Sequence, residues 1–260
     1  MDIVLLITGC IAPSKNQDDL YIYDEEIRLH QYIDSIRFYI ENTKFDKIVF
    51  CENSNYLYNK IAVLQEFASL FNKHFEWIAF SGNACNVEKF GKGWGEDEIV
   101  DYALTNSQLL MDAPAFAKVT GRLILQNADD MIKSCDIYSN YFFRDIYRHH
   151  KLAVDTRFYV VNKDFYNSNL RQYCKRDYLN AKTTALEDVY FYLLNGRYKQ
   201  FNHFFRFVGI SGGNGRDYSK LPKAMKIAID AFVFFRIYNK LFFLLCLYRG
   251  VLYRLFKIKL

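Results

Sequence analysis

Three short apolar segments separated by two stretches of helical length occupy the first third of the sequence. The apolar segments span residues 3–7, 48–51 and 75–80, and apolar side chains recur at helical spacing through residues 18–42 and 56–73. Continuous apolar runs of this length are typical of strands that are buried on both faces of a sheet. The alternation therefore predicts a β-α-β-α-β unit with a parallel sheet and right-handed crossovers.

A polar cluster follows each apolar segment, at the point where the strand is predicted to end. In open parallel sheets, ligands bind beyond the carboxyl ends of the strands. The sequence thus predicts a binding site along one edge of the sheet. The residues expected there are Thr8, Gly9, Glu52, Asn53, Ser81 and Gly82.

A glycine-rich segment, GKGWGEDE at residues 91–98, comes next. We predict a turn that opens a helix, with Glu96 and the two acidic residues after it in the first turn. The glycines let the backbone approach a ligand, and Lys92, Gly93 and Gly95 are candidate phosphate contacts. The spacing matches neither a P-loop nor a dinucleotide fingerprint. An ordinary glycine-rich connection is the alternative.

A second cationic motif, KVTGR, occupies residues 118–122. Lys118 and Arg122 flank a Thr-Gly corner, and an arginine contacts a diphosphate bidentately. We predict that Lys118, Gly121 and Arg122 hold a diphosphate together with the glycine-rich segment. The alternative is that the two cations form surface salt bridges with Asp112 or Asp129.

Two acidic sites are candidates for binding a divalent cation. Asn127 and Asp129 follow a predicted strand at residues 123–126, and Asp155 lies in a predicted strand at 152–161. Mn²⁺ or Mg²⁺ bound to a diphosphate needs only one or two protein carboxylates. A helix N-cap at the first site and a buried Asp155–Arg157 pair at the second are the alternatives, so the sequence leaves metal use open.

Two carboxylates, Glu187 and Asp188, begin an otherwise apolar and aromatic helical segment at residues 186–194. Carboxylates in this position are candidates for a general base that deprotonates a sugar hydroxyl. The alternative is that they only complement the dipole of the helix.

The positive charge of the chain is concentrated at its C-terminal end. The net charge is +5, but residues 220–260 carry nine Lys or Arg and the single acid Asp230, which leaves −3 for residues 1–219. We therefore divide the chain into a catalytic body at 1–219 and a basic, aromatic helical tail at 220–260. A mildly acidic body argues against a nucleic-acid-binding protein. The tail favours an amphipathic helix at an anionic membrane surface, and packing on the body or on a partner is the alternative.

The cysteines and the N-terminus indicate the compartment. The six cysteines are scattered without a CxxC pair, which favours reduced thiols. Residues 1–9 lack a basic region and are too short for a signal peptide. We expect a cytoplasmic protein held peripherally at the inner face of the plasma membrane.

The set of motifs resembles bacterial glycosyltransferases of the GT-A type that build O-antigen, lipooligosaccharide or capsule. The resemblance covers roughly residues 3–218 and is carried by GKGWGEDEIVDYAL, FAKVTGRLILQN, DTRFYVVNKDFY, LEDVYFYLL and VGISGGNG in this order. It implies a Rossmann-type mixed α/β sheet flanked by helices, a nucleotide-sugar donor and a lipid-linked glycan acceptor.

The resemblance also implies roles for individual residues. The nucleotide would lie at Thr8, Gly9 and Glu52, and the sugar diphosphate at the Gly/Lys segment, while Glu187 and Asp188 would face the acceptor. Asn127 joins the expected donor contacts. The sequence lacks a clear Asp-x-Asp, so Mn²⁺ or Mg²⁺ remains optional, and no organic cofactor is expected. Two other classes stay open, a non-catalytic membrane assembly partner and a nucleotidyl- or phosphotransferase.

Overall fold

A computed structural model describes residues 2–14, 20–144, 153–171, 185–212 and 215–220. The predicted tail at 220–260 lies almost entirely outside the described residues. The strands are β1 (Ile3–Gly9), β2 (Lys47–Glu52), β3 (His74–Ala79), β4 (Ala115–Thr120), β5 (Ile124–Leu125), β6 (Tyr141–Arg144), β7 (Val154–Asn162) and β8 (Phe207–Val208). The helices are α1 (Glu25–Asn42), α2 (Ile61–Leu70), α3 (Ala84–Phe90), α4 (Lys92–Asn106), α5 (Gln108–Met111), α6 (Ala128–Ile132), α7 (Lys163–Phe165) and α8 (Leu186–Leu194). A π-helical turn at Tyr166–Leu170 continues α7, and Tyr218–Lys220 forms a 3-10 turn.

Six strands form the central sheet in the order β3-β2-β1-β4-β7-β6. The first four are parallel, β7 is antiparallel to β4, and β6 is antiparallel to β7. From β1 the chain steps outward to β2 and β3, and it then crosses back through α4 to place β4 on the other side of β1. The carboxyl ends of β1 and β4 therefore form the point at which the strand order reverses, where open α/β sheets bind ligands. The predicted mixed sheet flanked by helices is confirmed.

Helices cover both faces of the sheet. Successive side chains of a strand point to opposite faces, so Leu5 and Ile7 pack with α1, whereas Val4 and Leu6 pack with α4. On α1, Tyr32 and the residues one and two turns later, Ile36, Tyr39 and Ile40, are buried against the sheet. This two-sided burial explains why the β1 segment is apolar at every position.

The glycine-rich segment differs from its predicted form. The prediction that Glu96 opens the helix is wrong, because α4 already begins at Lys92 and continues from α3 through the single residue Gly91. Gly91 has φ of 92°, a left-handed value that favours glycine. A Cβ on Gly95 would lie 2.9 Å from Cγ2 of Val87, so Gly95 lets α3 and α4 approach closely.

None of the helices within the described ranges is both long and apolar enough to cross a membrane. The longest of them, α1, has 18 residues and carries charged side chains along its length.

Candidate functional site

The carboxyl ends of β1 and β4 lie side by side and are closely packed. The amide of Gly121 donates a 2.9 Å hydrogen bond to the carbonyl of Thr8, and the amide of Asn53 donates one of 3.2 Å to the carbonyl of Gly9. A Cβ on Gly121 would lie 2.5 Å from the Thr8 carbonyl oxygen, which only glycine avoids. Thr8, Gly9 and Gly121 are thus brought together, as the sequence predicts, at the point where the strand order reverses.

Arg122 projects from the end of β4 toward α1. Its Nη1 donates to Oε1 of Gln31 at 3.4 Å, and its guanidinium lies 5.9 Å from the ring centroid of Tyr32. A Cβ on Gly212 would collide with the same guanidinium, so the loop after β8 passes directly against Arg122. Burial lowers the pKa of Arg122, and the neighbouring Arg28 lowers it further. Across the described ranges, Arg122 forms no ion pair with a carboxylate, and neither Asp112 nor Asp129 contacts it.

Arg28 is a second guanidinium at this edge that the sequence analysis missed. It is buried on α1, where its Nε donates to the carbonyl of Cys10 at 2.8 Å and its Nη1 to the carbonyl of Ile22 at 3.0 Å. The hydroxyl of Tyr32 accepts from the amide of Cys10 at 2.9 Å. Arg28 precedes Tyr32 by one helical turn, and this spacing is the signal that could have placed it on the buried face. Two guanidinium groups therefore make the end of β1 electropositive.

Glu52 shapes the neighbouring loop. Its side chain is fully buried, and its carboxylate accepts hydrogen bonds from the amides of Ser54 at 2.9 Å and Tyr56 at 2.7 Å and from the Ser54 hydroxyl. The Ser54 hydroxyl in turn accepts from the amide of Ala12 at 3.0 Å. Glu52 therefore fixes the loops after β1 and β2 in their positions and turns its carboxylate inward.

The N-terminus of α4 lies at the same edge. Near this end, the carboxylate of Glu98 accepts a 3.1 Å hydrogen bond from the amide of Asn83, a residue just beyond β3. At the other end of α4, the hydroxyl of Ser107 donates a 2.5 Å hydrogen bond to Glu76 of β3. No side chain caps the helix at Gly91. Helix N-termini present unpaired amides and a partial positive charge, so Lys92 and Gly93 lie in a turn suited to an anion.

Lys118 lies on the opposite face of the sheet from Arg122. Its side chain has no exposed area, and its Nζ donates to the carbonyl of Thr156 at 2.8 Å and to Oγ1 of Thr120 at 3.2 Å. It also forms an ion pair with Glu96 of α4. Burial lowers the pKa of Lys118 to about 7, and the charges of Glu187 and Asp155 oppose this shift. The structure therefore does not bring Lys118 and Arg122 to one common ligand position.

Glu187 and Asp188 lie in the first turn of α8, near Lys118. The Asp188 side chain is buried, whereas Glu187 is half-buried. No side chain caps α8, which begins after Ala185. Glu96, in the second turn of α4, pairs with the ammonium group of Lys118 on the face of the sheet that α8 also covers.

The candidate metal ligands are dispersed. Asp155 pairs with Arg157, whose Nε lies 2.9 Å from Oδ1, as the alternative interpretation proposed. The carboxylate of Asp129 accepts a 2.8 Å hydrogen bond from the amide of Lys44. Because Lys44 precedes β2, this contact places Asp129 at the amino edge of the sheet. The side-chain amide of Asn127 donates a hydrogen bond to the carbonyl of Phe204 and accepts one from the amide of Arg206. Within the described part of the chain no three His, Cys, Asp or Glu residues cluster. These positions do not fit a shared divalent cation, and metal use stays a prediction.

Comparison with known proteins identifies a solved structure with a similar fold. No family profile matches the chain, and no curated protein matches its sequence. Among solved structures, the glycosyltransferase GlyE of Streptococcus pneumoniae TIGR4 is similar, with a TM-score of 0.51 and 11% sequence identity. The match covers 76% of this chain and 44% of GlyE, so the chain spans less than half of that protein's length. The likeness establishes that this chain has the mixed α/β fold of a solved glycosyltransferase.

Proposed function

We propose that this protein is a glycosyltransferase that moves a sugar from a nucleotide-sugar donor to a glycan acceptor in the synthesis of cell-surface polysaccharide. The observation that carries the proposal is Arg122 at the carboxyl ends of β1 and β4. Within the described ranges this half-buried guanidinium has no carboxylate partner, and it lies in a fold shared with a solved glycosyltransferase. A guanidinium at the reversal point of an α/β sheet is suited to a diphosphate.

In this proposal the donor diphosphate lies along the electropositive edge. Arg122 donates to the diphosphate from the α1 side, beside the close contact between Gly121 and Thr8. The amides at the start of α4, with Lys92 and Gly93, offer further donors. Negative charge grows on the nucleoside diphosphate as the bond to the sugar breaks, and donors held in place before the reaction stabilise that charge.

The acceptor hydroxyl would be deprotonated by a carboxylate at the start of α8. Glu187 is the better placed of the two predicted bases because it is half-buried, whereas Asp188 is buried. Attack by the resulting alkoxide on the anomeric carbon expels the nucleoside diphosphate and inverts the configuration at that carbon. Glu187 acts as the general base, and Asp188 supports the helix turn that carries it.

A thermal-shift screen of UDP-, GDP- and CMP-sugars, each with and without Mn²⁺ or Mg²⁺, tests donor binding directly. A true donor at 100 times its Kd is expected to stabilise the folded protein by about 2.7 kcal/mol. Free monosaccharides at the same concentration serve as the control and should produce no shift. Absence of stabilisation by every nucleotide-sugar, in all metal conditions, would contradict the proposed function, and a shift only with metal would establish a cation requirement.

The acceptor is proposed to be lipid-linked, with the tail holding the protein at the cytoplasmic face of the membrane. Seven Lys or Arg between residues 226 and 259 recur among Phe, Leu, Ile and Tyr, and each contributes about 1 kcal/mol near an anionic surface. We expect the full-length protein to pellet with phosphatidylglycerol-containing liposomes and to be released by salt. Replacing those seven residues by Gln should abolish pelleting. Replacing seven exposed lysines or arginines of the body should leave pelleting unchanged. Equal loss of pelleting in both variants would contradict this assignment.

A further inference from the structure

We propose that Gly212, in the loop after β8, is a positioning residue that holds the guanidinium of Arg122 where the donor diphosphate binds. The inference rests on the proposed function in one respect, namely that Arg122 contacts the diphosphate. It gives a role to the glycine-rich motif VGISGGNG at residues 208–215, to which the proposed function assigns none.

The guanidinium of Arg122 fills the space that a side chain at position 212 would need. A Cβ added at Gly212 would overlap Nη2 of Arg122 and would lie 2.8 Å from its Cζ. Gly209 meets the backbone of the same residue, since a Cβ added there would lie 2.7 Å from the carbonyl oxygen of Arg122. Two glycines three positions apart therefore contact both ends of Arg122, and each contact requires the absence of a side chain.

Hydrogen bonds hold the loop in this position. The carbonyl of Gly209 accepts from the amide of Tyr218 at 3.0 Å, and the carbonyl of Gly212 accepts from the amide of Tyr21 at 3.1 Å. Gly209 also has φ of 115°, a value that favours glycine. Because the backbone is fixed on both sides of Ile210, the flexible side chain of Arg122, and not the loop, would yield to a side chain added at Gly212.

The contacts of Arg122 orient its charge without neutralising it. Within the described ranges no carboxylate pairs with it, and its neighbours are the side-chain oxygen of Gln31 at 3.4 Å and the ring of Tyr32, with its centroid at 5.9 Å. The Tyr32 hydroxyl accepts from the amide of Cys10 at 2.9 Å, which fixes the ring. A carboxylate partner would compete with a phosphate for the same donors. A neutral amide, a ring and the backbone of Gly212 leave the guanidinium available to the diphosphate.

The neighbouring Arg28 explains why Arg122 needs this restraint. The guanidinium of Arg28 is buried and bonded to the carbonyls of Cys10 and Ile22, so it stays in place. Burial lowers the pKa of Arg122, and the positive charge of Arg28 lowers it further. Repulsion between the two groups therefore favours movement of Arg122 toward solvent, and the contact with Gly212 opposes that movement.

A measurement without nucleotide tests the contact itself. Phenylglyoxal modifies guanidinium groups, and peptide mass spectrometry follows its reaction with Arg122 in the full-length protein. We expect Arg122 to react several-fold faster in Gly212→Ala than in the wild type, because the added methyl group displaces the guanidinium toward solvent. Gly196→Ala is the matched control, since nothing lies within 4 Å of a Cβ at that position, and Arg122 should react in it at the wild-type rate. Equal rates in Gly212→Ala and the wild type would overturn the inference.

Nucleotide affinity tests the consequence for the site. Calorimetry with UDP, GDP and CMP should show that Gly212→Ala weakens binding by a factor approaching that of Arg122→Met, roughly 10- to 100-fold. Urea unfolding should show little change in stability, because only the end of a flexible side chain has to move. In an Arg122→Met background, Gly212→Ala should weaken binding no further. An equal loss of affinity in both backgrounds would show that Gly212 acts independently of Arg122, and the inference would fail.

The two measurements separate this inference from the proposed function. If no nucleotide binds to the wild type, the proposed function fails, and the phenylglyoxal rates still decide whether Gly212 holds Arg122. If binding depends on Arg122 but Gly212→Ala matches the wild type in affinity and in reaction rate, the proposed function stands and the positioning role of Gly212 is excluded.

Discussion

Arg122→Met is expected to weaken binding of the donor nucleotide roughly 10- to 100-fold, since a hydrogen bond to a charged group contributes about 1.5–3 kcal/mol. The reason is that Arg122 is half-buried at the meeting point of β1 and β4 and has no carboxylate partner within the described ranges. Its contacts there are Gln31, the Tyr32 ring and the loop at Gly212. Calorimetric titration of the nucleotide identified by thermal shift measures the effect.

Two further variants make the Arg122 result specific. Arg122→Lys keeps the charge but loses the planar fork, so it should recover only part of the affinity. Arg37→Met is the matched control, because Arg37 also lies against an aromatic ring, 4.8 Å from the Phe67 centroid, but on the exposed surface of α1. Nucleotide affinity unchanged in Arg122→Met, or lowered equally in Arg37→Met, would exclude a direct phosphate contact.

Asp97→Ala is expected to lower the free energy of unfolding by roughly 2–5 kcal/mol, because each buried polar group left without its partner costs about 1–3 kcal/mol. Asp97 is 1% exposed, and its Oδ1 accepts from the hydroxyl of Tyr166 at 2.9 Å and from that of Tyr190 at 2.5 Å. The two hydroxyls lie 3.1 Å apart. These contacts join α4, the π-helical turn at Tyr166–Leu170 and α8 in one buried network. Urea unfolding measures the loss.

The two tyrosines provide the internal control for Asp97. In a Tyr166→Phe/Tyr190→Phe background these two hydroxyls no longer depend on the carboxylate, so Asp97→Ala should cost clearly less than in the wild type. Asp34→Ala, at an exposed position of α1, should change stability by less than about 0.5 kcal/mol. Equal costs of Asp97→Ala in both backgrounds would show that the phenols do not contribute to its effect.

The order of elements in the first 83 residues could be predicted because it depends on local patterns. Each of the first three strands is an apolar run of a few residues with a polar cluster after it, and a strand buried on both faces needs that composition wherever it lies in the sheet. The same pattern places Thr8, Gly9 and Glu52 at the carboxyl ends of their strands. The location of the candidate site was therefore determined by the sequence.

The start of α4 shows the limit of local patterns. Three alternating glycines predict a loop, because glycine is a poor helix former. In the fold, α3 packs so closely that Gly95 must lack a Cβ, and the helix begins at Lys92. Tertiary packing therefore outweighs the low helix propensity of glycine, which is less favourable than that of alanine by about 1 kcal/mol per residue.

The orientation of the functional side chains was decided by the tertiary structure. Lys118 and Arg122 are four residues apart in one motif, which suggests a shared ligand, but they leave the sheet on opposite faces. Glu52 turns inward to bond its own loop, and Lys118 meets a carboxylate 22 residues away in the sequence, Glu96. A motif fixes which groups are near one another along the chain. Which oxygen or cation each group meets depends on the register of the strands and on the helix that packs above them, so only the folded chain determines it.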